Sequence, residues 1–211
     1  EKLDLGTNQI GSDGAKALGI SLKSNQTIRW LGLWNNGIGT DGIQSIASGL
    51  VDNASLEVLA LGGNPICDVG AMYLAKALET STCSLKRLYL ANGQIGTEGA
   101  VYLANALRNN ETIQVLDLLH NPIGHDGVLA FRSILRNYQN VTIHALLLNH
   151  YDASTNGSIG IYLDLNRMGR RHIFDADLPV SVWPFLLEKM NSRPNLLYQT
   201  LLEKPELMKR E

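Results

Sequence analysis

The stretch LALGGNPICDVGAMYL, residues 59–74, decides the fold, because four other segments of the chain repeat its pattern. The copies follow one another at steps of 28, 28, 29 and 28 residues, and they begin at Leu3, Leu31, Leu59, Leu88 and Leu116. A fixed period in this range is typical of a solenoid, in which each unit contacts its neighbours and none is stable alone. The sequence therefore predicts a stacked array of repeats.

Each copy contains a strand pattern followed by a helix pattern. The opening Leu-x-Leu alternates like a short strand, so Leu59 and Leu61 should point into a core while the residues around them face solvent. Apolar residues at helical spacing follow, for example Leu74 and Leu78. Residues suited to an N-cap precede four of these helix patterns: Ser12, Thr40, Asp68 and Thr97.

An asparagine stands three residues after the second leucine in four of the copies. Its amide group both donates and accepts hydrogen bonds, which suits a turn whose peptide groups are buried. We expect these residues to stack into a hydrogen-bonded spine formed by Asn8, Asn36, Asn64 and Asn121. The fourth copy carries Gly93 at this position, so we expect a missing rung there.

The repeated pattern LxxLxLxxNxIGxxGAxxLAxAL resembles the ribonuclease-inhibitor subtype of the leucine-rich repeat, also found in NOD-like immune receptors and Ran GTPase-activating proteins. The resemblance covers residues 1–143. It implies an α/β leucine-rich-repeat solenoid, a right-handed horseshoe arc with a parallel sheet on the concave side and helices outside. It also implies that partner proteins bind mostly within the curve.

Residues 144–211 depart from the repeat, and we expect them to form a C-terminal cap made of a terminal strand, a hairpin and two helices. The alternation of Ile159, Ile161, Leu163 and Leu165 predicts a strand that returns against Leu146–Leu148. Amphipathic helices are expected over 182–190 and 194–203. The segments LDLNRMGRR, LPVSVWPFLLEKM and LLYQTLLEKPEL resemble the tail of uncharacterised repeat proteins of diatoms and other stramenopile algae.

A basic cluster, Arg167 to His172, lies in this tail. It could dock an acidic partner or a phosphate, but a solvated turn whose arginines pair with local carboxylates is the interpretation we favour. The first strand has no capping unit before it. We therefore expect that the chain is a fragment, or that another chain covers this edge in a larger complex.

Composition and motifs argue against several classes of function. A net charge of -2 disfavours a nucleic-acid surface, and no apolar run is long enough to insert in a membrane. The glycine-rich turns lack the Gly-Lys-Ser/Thr of a phosphate loop, and His120, His125 and Asp126 match metal-ligand patterns poorly. We expect no enzyme activity, no cofactor and no metal. Cys67 and Cys83 are expected to be free thiols, which favours a reducing compartment and therefore an intracellular location, in the cytoplasm or, alternatively, in an organelle.

The informative surface is the concave one. Side chains suited to a binding hot spot stand on neighbouring rungs there, with very small residues between them in the third copy. We expect the partner-binding residues to be Trp30, Trp34, Arg87, Tyr89, Asp117 and His120. An alternative is that Trp30 and Trp34 simply shield each other.

These observations favour a non-enzymatic scaffold that binds a partner protein on its concave face. Two alternatives stay open. One is a GTPase-activating regulator of the Ran-directed type, although no motif maps onto that function. The other is an accessory subunit of a large assembly, in which the bare first strand would itself be an interface.

Overall fold

The computed structural model describes residues 1–136, 140, 142–149, 159 and 163. Within these residues, strands and helices alternate along the chain, one of each per repeat. The strands are β1 (Lys2–Asp4), β2 (Trp30–Gly32), β3 (Val58–Ala60), β4 (Arg87–Tyr89), β5 (Val115–Asp117) and β6 (Ala145–Leu147). The helices are α1 (Gly11–Ser24), α2 (Thr40–Val51), α3 (Cys67–Leu78), α4 (Thr97–Leu107) and α5 (Gly124–Arg136).

The strands form one parallel sheet in sequence order, from β1 to β6. Each strand contributes one rung, and the central leucines of the strands stand directly beside one another across the sheet: Leu3, Leu31, Leu59, Leu88, Leu116 and Leu146. This regular register confirms the prediction of an α/β repeat solenoid with a parallel sheet.

The core lies between the sheet and the helices and runs the length of the array. Leu31, Leu59 and Leu88 are at most 1% exposed, and they pack with the buried isoleucines that end each turn, such as Ile38 and Ile66. Each buried side chain of this size stabilises the fold by about 1.5–3 kcal/mol. Because every repeat supplies the same side chains, each one completes the core of its neighbours.

Helices α1 and α2 approach each other to backbone contact. A Cβ atom on Gly19 would overlap the Ser45 carbonyl, and one on Gly49 would overlap the Gly19 carbonyl. Glycine at both positions therefore lets these two helices pack more closely than larger residues would allow.

The helix starts differ from the N-cap prediction. The N-cap positions of the first four helices are held by Ile10, Gly39, Ile66 and Gly96, and none of them makes a side-chain cap hydrogen bond. Two of the predicted caps act on the next repeat instead. Ser12 Oγ accepts from the Gly39 N–H at 3.1 Å, and Asp68 Oδ1 accepts from the N–H groups of Gly96 and Gly99. The prediction was wrong because it considered each repeat by itself.

The asparagine side chains join successive repeats. Asn64 Oδ1 accepts from the backbone N–H groups of Asn36 and Ile38, both at 3.0 Å, and its Nδ2 donates to the carbonyls of Leu33 and Leu61 at 2.8 and 2.7 Å. Asn36 bonds in the same way to the first repeat, and Asn121 to the fourth. Each amide thus satisfies peptide groups in two repeats at once.

The third repeat meets no such side chain in the fourth, because Gly93 occupies that position. The Gly93 carbonyl accepts from the N–H groups of Ile66 and Cys67 at 3.0 Å each. A backbone group therefore replaces the amide at this junction.

A second set of asparagines joins the repeats at the opposite end of the strands. Asn53 Nδ2 donates to the carbonyls of Leu22 and Asn25, and its Oδ1 accepts from the N–H groups of Ser55 and Leu56. Asn110 and Asn140 make the equivalent bonds two and three repeats further on. At the junction between the second and third repeats, the hydroxyl groups of Thr82 and Ser84 bond the carbonyls of Val51 and Leu56 instead.

Two residues near the end of the described chain contradict the prediction of a returning strand. Ile159 and Leu163 lie in helical conformation and are 4% and 6% exposed, so the returning strand is wrong for these two residues. Apolar residues four apart also suit one face of a helix, and a short apolar run cannot separate the two patterns. Ile161, Leu165, the two expected helices and the Arg167–His172 cluster lie outside the described residues.

Replacing Asn64 with Ala should destabilise the protein by about 3 kcal/mol, because four buried peptide groups lose their partner. Asn8→Ala is the matched control. Asn8 Nδ2 bonds only exposed carbonyls of its own turn, so its loss should cost less than about 1 kcal/mol. Urea unfolding followed by circular dichroism measures both changes, and equal losses would contradict the structural role given to the buried amide.

Candidate functional site

The outward side of the sheet, here called the strand face, carries the predicted binding residues. It consists of the outward-pointing residues of each strand and of the turn that follows, because strand residues on either side of a buried leucine point away from the core. The register places Trp30, Val58 and Arg87 side by side, and Gly32, Ala60 and Tyr89 in a second row. Neighbouring rungs lie about 4.8 Å apart.

The third rung is lower than its neighbours. Its outward residues are Val58, Ala60 and Gly62, whereas the second rung carries two tryptophans and the fourth carries Arg87 and Tyr89. From these side-chain sizes we infer a shallow depression over β3, here called the β3 groove. Its two walls stand on rungs about 10 Å apart.

Trp30 lies along its own strand. A Cβ atom on Gly32 would come within 2.5 Å of the Trp30 ring, so the glycine provides the space that the ring occupies. The Lys2 ammonium stands 4.1 Å from the ring centroid, in a cation–π contact. Trp30 is half-buried as a result.

Trp34 packs on the preceding repeat. A Cβ atom on Gly6 would overlap the Trp34 ring, and the indole remains 39% exposed. Each tryptophan therefore rests on a different glycine. The alternative in which Trp30 and Trp34 shield each other stays a prediction.

Three charged side chains meet at the start of strands β2 to β4, and the sequence analysis missed them. Glu57 accepts from Arg29 at 3.4 Å and pairs with Lys86 at 3.1 Å. The hydrogen bond from Lys86 is the largest cause that lowers the pKa of Glu57. Burial is the next largest cause and opposes it, while the charges of Lys86 and Arg29 lower the pKa further. The signal was available: all three residues immediately precede a strand, with signs that alternate from one repeat to the next.

Arg87 and Tyr89 complete the far wall of the β3 groove. Arg87 is exposed, and the described residues place no carboxylate within 4.0 Å of its guanidinium. Tyr89 is half-buried beside Ala60. Both residues are in the position predicted for them.

Asp117 and His120 lie one rung beyond this wall. Asp117 Oδ1 accepts from the Leu119 N–H at 3.0 Å, so its carboxylate is held by its own turn. His120 is exposed and has a φ of 58°; the same turn position has positive φ in every repeat, at Thr7, Asn35, Gly63, Asn92 and His120. The backbone N–H of His120 donates to Asn149 Oδ1 at 2.7 Å. Asp117 thus stands next to Tyr89 across the sheet, and His120 lies in the turn that follows β5.

The described residues offer little for other chemistry. Among them, no group of three or more His, Cys, Asp or Glu side chains is placed to hold a metal, and no helix is long and apolar enough to cross a membrane. Cys67 and Cys83 are free, and burial raises the pKa of the Cys83 thiol.

Comparison with known proteins agrees with the repeat architecture. A family model described as leucine-rich repeat matches residues 1–19, 52–75, 82–104 and 109–131. The solved structure of leiomodin-1 actin-binding site 2 superposes with a TM-score of 0.56 and 19% identity, over 62% of this chain and 75% of that one. The tropomodulin C-terminal domain of Caenorhabditis elegans gives 0.53 and 10%, over 81% and 86%. No curated protein sequence matches significantly.

The fold and its strand face define a protein built from stacked strand–helix repeats. Residues 1–131 of the chain contain leucine-rich repeats. Because both identities are low, the two structures show the fold alone. The ribonuclease-inhibitor subtype and the likeness of the tail to algal proteins stay predictions.

Gly6→Ala should displace Trp34, because the added methyl group overlaps the indole. We expect a shift of tryptophan fluorescence and lower stability. The same substitution in a Trp34→Ala background should cost little, since the ring is absent. An equal loss of stability in the two backgrounds would show that Gly6 does not provide the space that the Trp34 ring occupies.

The lowered pKa of Glu57 predicts a pH effect on stability. Since the folded state favours the charged carboxylate, Glu57 stabilises the fold above its ordinary pKa of 4.5, and this contribution disappears as the pH falls through the lowered folded value. Glu57→Gln should flatten the pH dependence of unfolding between about pH 5 and pH 3. An NMR titration that places the pKa of Glu57 at or above its ordinary value would contradict this expectation.

Proposed function

We propose that this protein is a non-enzymatic scaffold that binds a partner protein on the concave strand face. Trp30, Trp34, Arg87 and Tyr89 form the centre of the contact, and Asp117 and His120 lie at its rim. One observation carries the proposal: two tryptophans and an arginine are held outside the core on rungs that adjoin the same low third rung.

The exposure of these side chains supports a binding role. Trp34 stays 39% exposed although the core beneath the sheet is buried from solvent. Arg87 is exposed without a carboxylate partner among the described residues. Tryptophan, tyrosine and arginine carry much of the binding energy in known interfaces. Nothing in the packing of the repeats explains why Arg87 stands at this position.

The way the tryptophans are held supports the same role. Each ring rests on a glycine, and Lys2 also contacts Trp30. Side chains that are already ordered lose less conformational entropy when a partner arrives. A face arranged in this way can bind without a large rearrangement.

The structural neighbours add one named candidate for the partner. The leiomodin-1 structure is that of an actin-binding site, so actin is a reasonable purified probe for this chain. The neighbour is 19% identical, and the proposal does not depend on actin being the partner. A regulator of a GTPase would use the same face, and a GTP-turnover assay separates that role from simple binding.

Photo-crosslinking tests the proposed face. Benzoylphenylalanine in place of Val115, the outward residue next to Arg87 on the fifth rung, should give adducts in source cells, whereas the same group at Lys76, on the outer side of α3, should not. Trp34→Ala should reduce the Val115 adducts and weaken the partner by about 30-fold, the effect of losing a hot spot of about 2 kcal/mol.

Circular dichroism serves as the control, because Trp34 lies outside the core and its loss should leave the fold intact. Adducts that form mainly from position 76, or that are unaffected by Trp34→Ala, would contradict binding on the strand face.

A further inference from the structure

We propose that the β3 groove selects an acidic linear segment of the partner, in which one large apolar side chain is flanked by a carboxylate. This inference rests on the proposed function, because it assumes that the strand face binds a protein. It adds the chemistry of the segment that the groove accepts.

The floor of the β3 groove indicates the apolar anchor. Val58 is 9% exposed, and Ala60 and Gly62 complete a floor that has no polar side chain. The backbone there is already bonded within the sheet: the Leu33 N–H donates to the Ala60 carbonyl at 2.7 Å, and the Gly63 N–H to the Ala91 carbonyl at 2.8 Å. A polar side chain placed on this floor would lose its water without gaining a partner.

The size of the groove limits the anchor to about one side chain. Its walls stand on the second and fourth rungs, about 10 Å apart, and the wall side chains take part of that width. Trp30, whose ring lies over Gly32 on the second rung, stands on one side, and Tyr89 and Arg87 of the fourth rung stand on the other. Aromatic and long aliphatic side chains pack well between such surfaces.

The charges around the groove indicate the carboxylate. Rungs two to four carry three cations, Arg29, Lys86 and Arg87, and one anion, Glu57. Glu57 is shared between Arg29 and Lys86, so the charges on these rungs do not balance. The unpaired guanidinium of Arg87 lies directly at the groove.

The acidic residues of the strand face do not supply the missing charge. Asp4 stands on the first rung and Asp117 on the fifth, beside Tyr89, and neither carboxylate lies within 4.0 Å of the Arg87 guanidinium. One carboxylate oxygen of each accepts from its own turn, from the N–H groups of Gly6 and Leu119. A carboxylate from the partner can therefore reach Arg87, and the planar guanidinium can bind both of its oxygens.

Selection from a phage library of random dodecapeptides on the intact chain tests the inference. We expect enriched peptides to place Asp or Glu within two residues of Trp, Phe, Leu or Met. Fluorescence polarisation with the best synthetic peptide should then show binding at least 10-fold weaker to Ala60→Phe, which fills the groove. Leu147→Phe, which adds a ring three rungs away, is the matched control and should bind normally.

A double-mutant cycle tests the carboxylate. Arg87→Gln should weaken the acidic peptide about 10-fold but should not weaken a version in which its Asp or Glu is replaced by Asn or Gln. Lys16→Gln removes a cation from the outer surface of α1 and should have no effect. Circular dichroism of each variant verifies folding.

The outcomes separate the two proposals. Peptides that no longer bind the Trp34→Ala variant, but still bind the Ala60→Phe and Arg87→Gln variants, would overturn the acidic-segment inference. They would still support binding on the strand face. Enriched peptides without acidic residues would do the same. If no peptide is enriched, or if the peptides are insensitive to every strand-face variant, both the inference and the binding face are overturned.

Discussion

The hydrogen bonds between an asparagine amide and the backbone of the preceding repeat are the constraint on which the rest of the structure depends. Asn36, Asn64 and Asn121 hold the turns after the strands, and Asn53 and Asn110 hold the turns before them. These turns bury peptide groups that no helix or strand can satisfy, and an unsatisfied buried group costs about 1–3 kcal/mol. Because the bonds tie consecutive repeats, they also keep the rungs in register, and the register determines which side chains meet on the strand face.

Much of this architecture could be predicted from the sequence, because the same residue types recur at equivalent positions of the repeats. The five leucine pairs gave the strands and their inward faces, and the spine asparagines marked the turns. Once consecutive copies are aligned, the leucine columns place Trp30 and Arg87 on either side of Val58, as the sheet register does. The positions of Trp30 and Arg87 on the strand face were therefore recognisable without coordinates.

What the sequence did not reveal involves contacts between repeats that no single repeat encodes. The carboxylate of Asp68 bonds the start of the next helix instead of its own, and Gly6 is the seat for a tryptophan 28 positions later. Both depend on how two coils lie against each other in space. The strand predicted at Ile159 and Leu163 was wrong for another reason. Beyond the last regular repeat, no repeating pattern distinguishes a strand from a helix, and two apolar residues four apart fit both.

The arrangement of charge on the strand face follows from the same stacking. Residues one period apart become neighbours, so the alternation of Arg29, Glu57 and Lys86 produces local pairs, whereas a cation next to apolar residues stays unpaired. Val58 and Val115 flank Arg87 in its row, and neither can neutralise it. A solvated arginine costs the fold little, but it favours any carboxylate that enters the neighbouring groove. The repeat that gives the protein its stability thereby also determines where a partner's charge is most favourably placed.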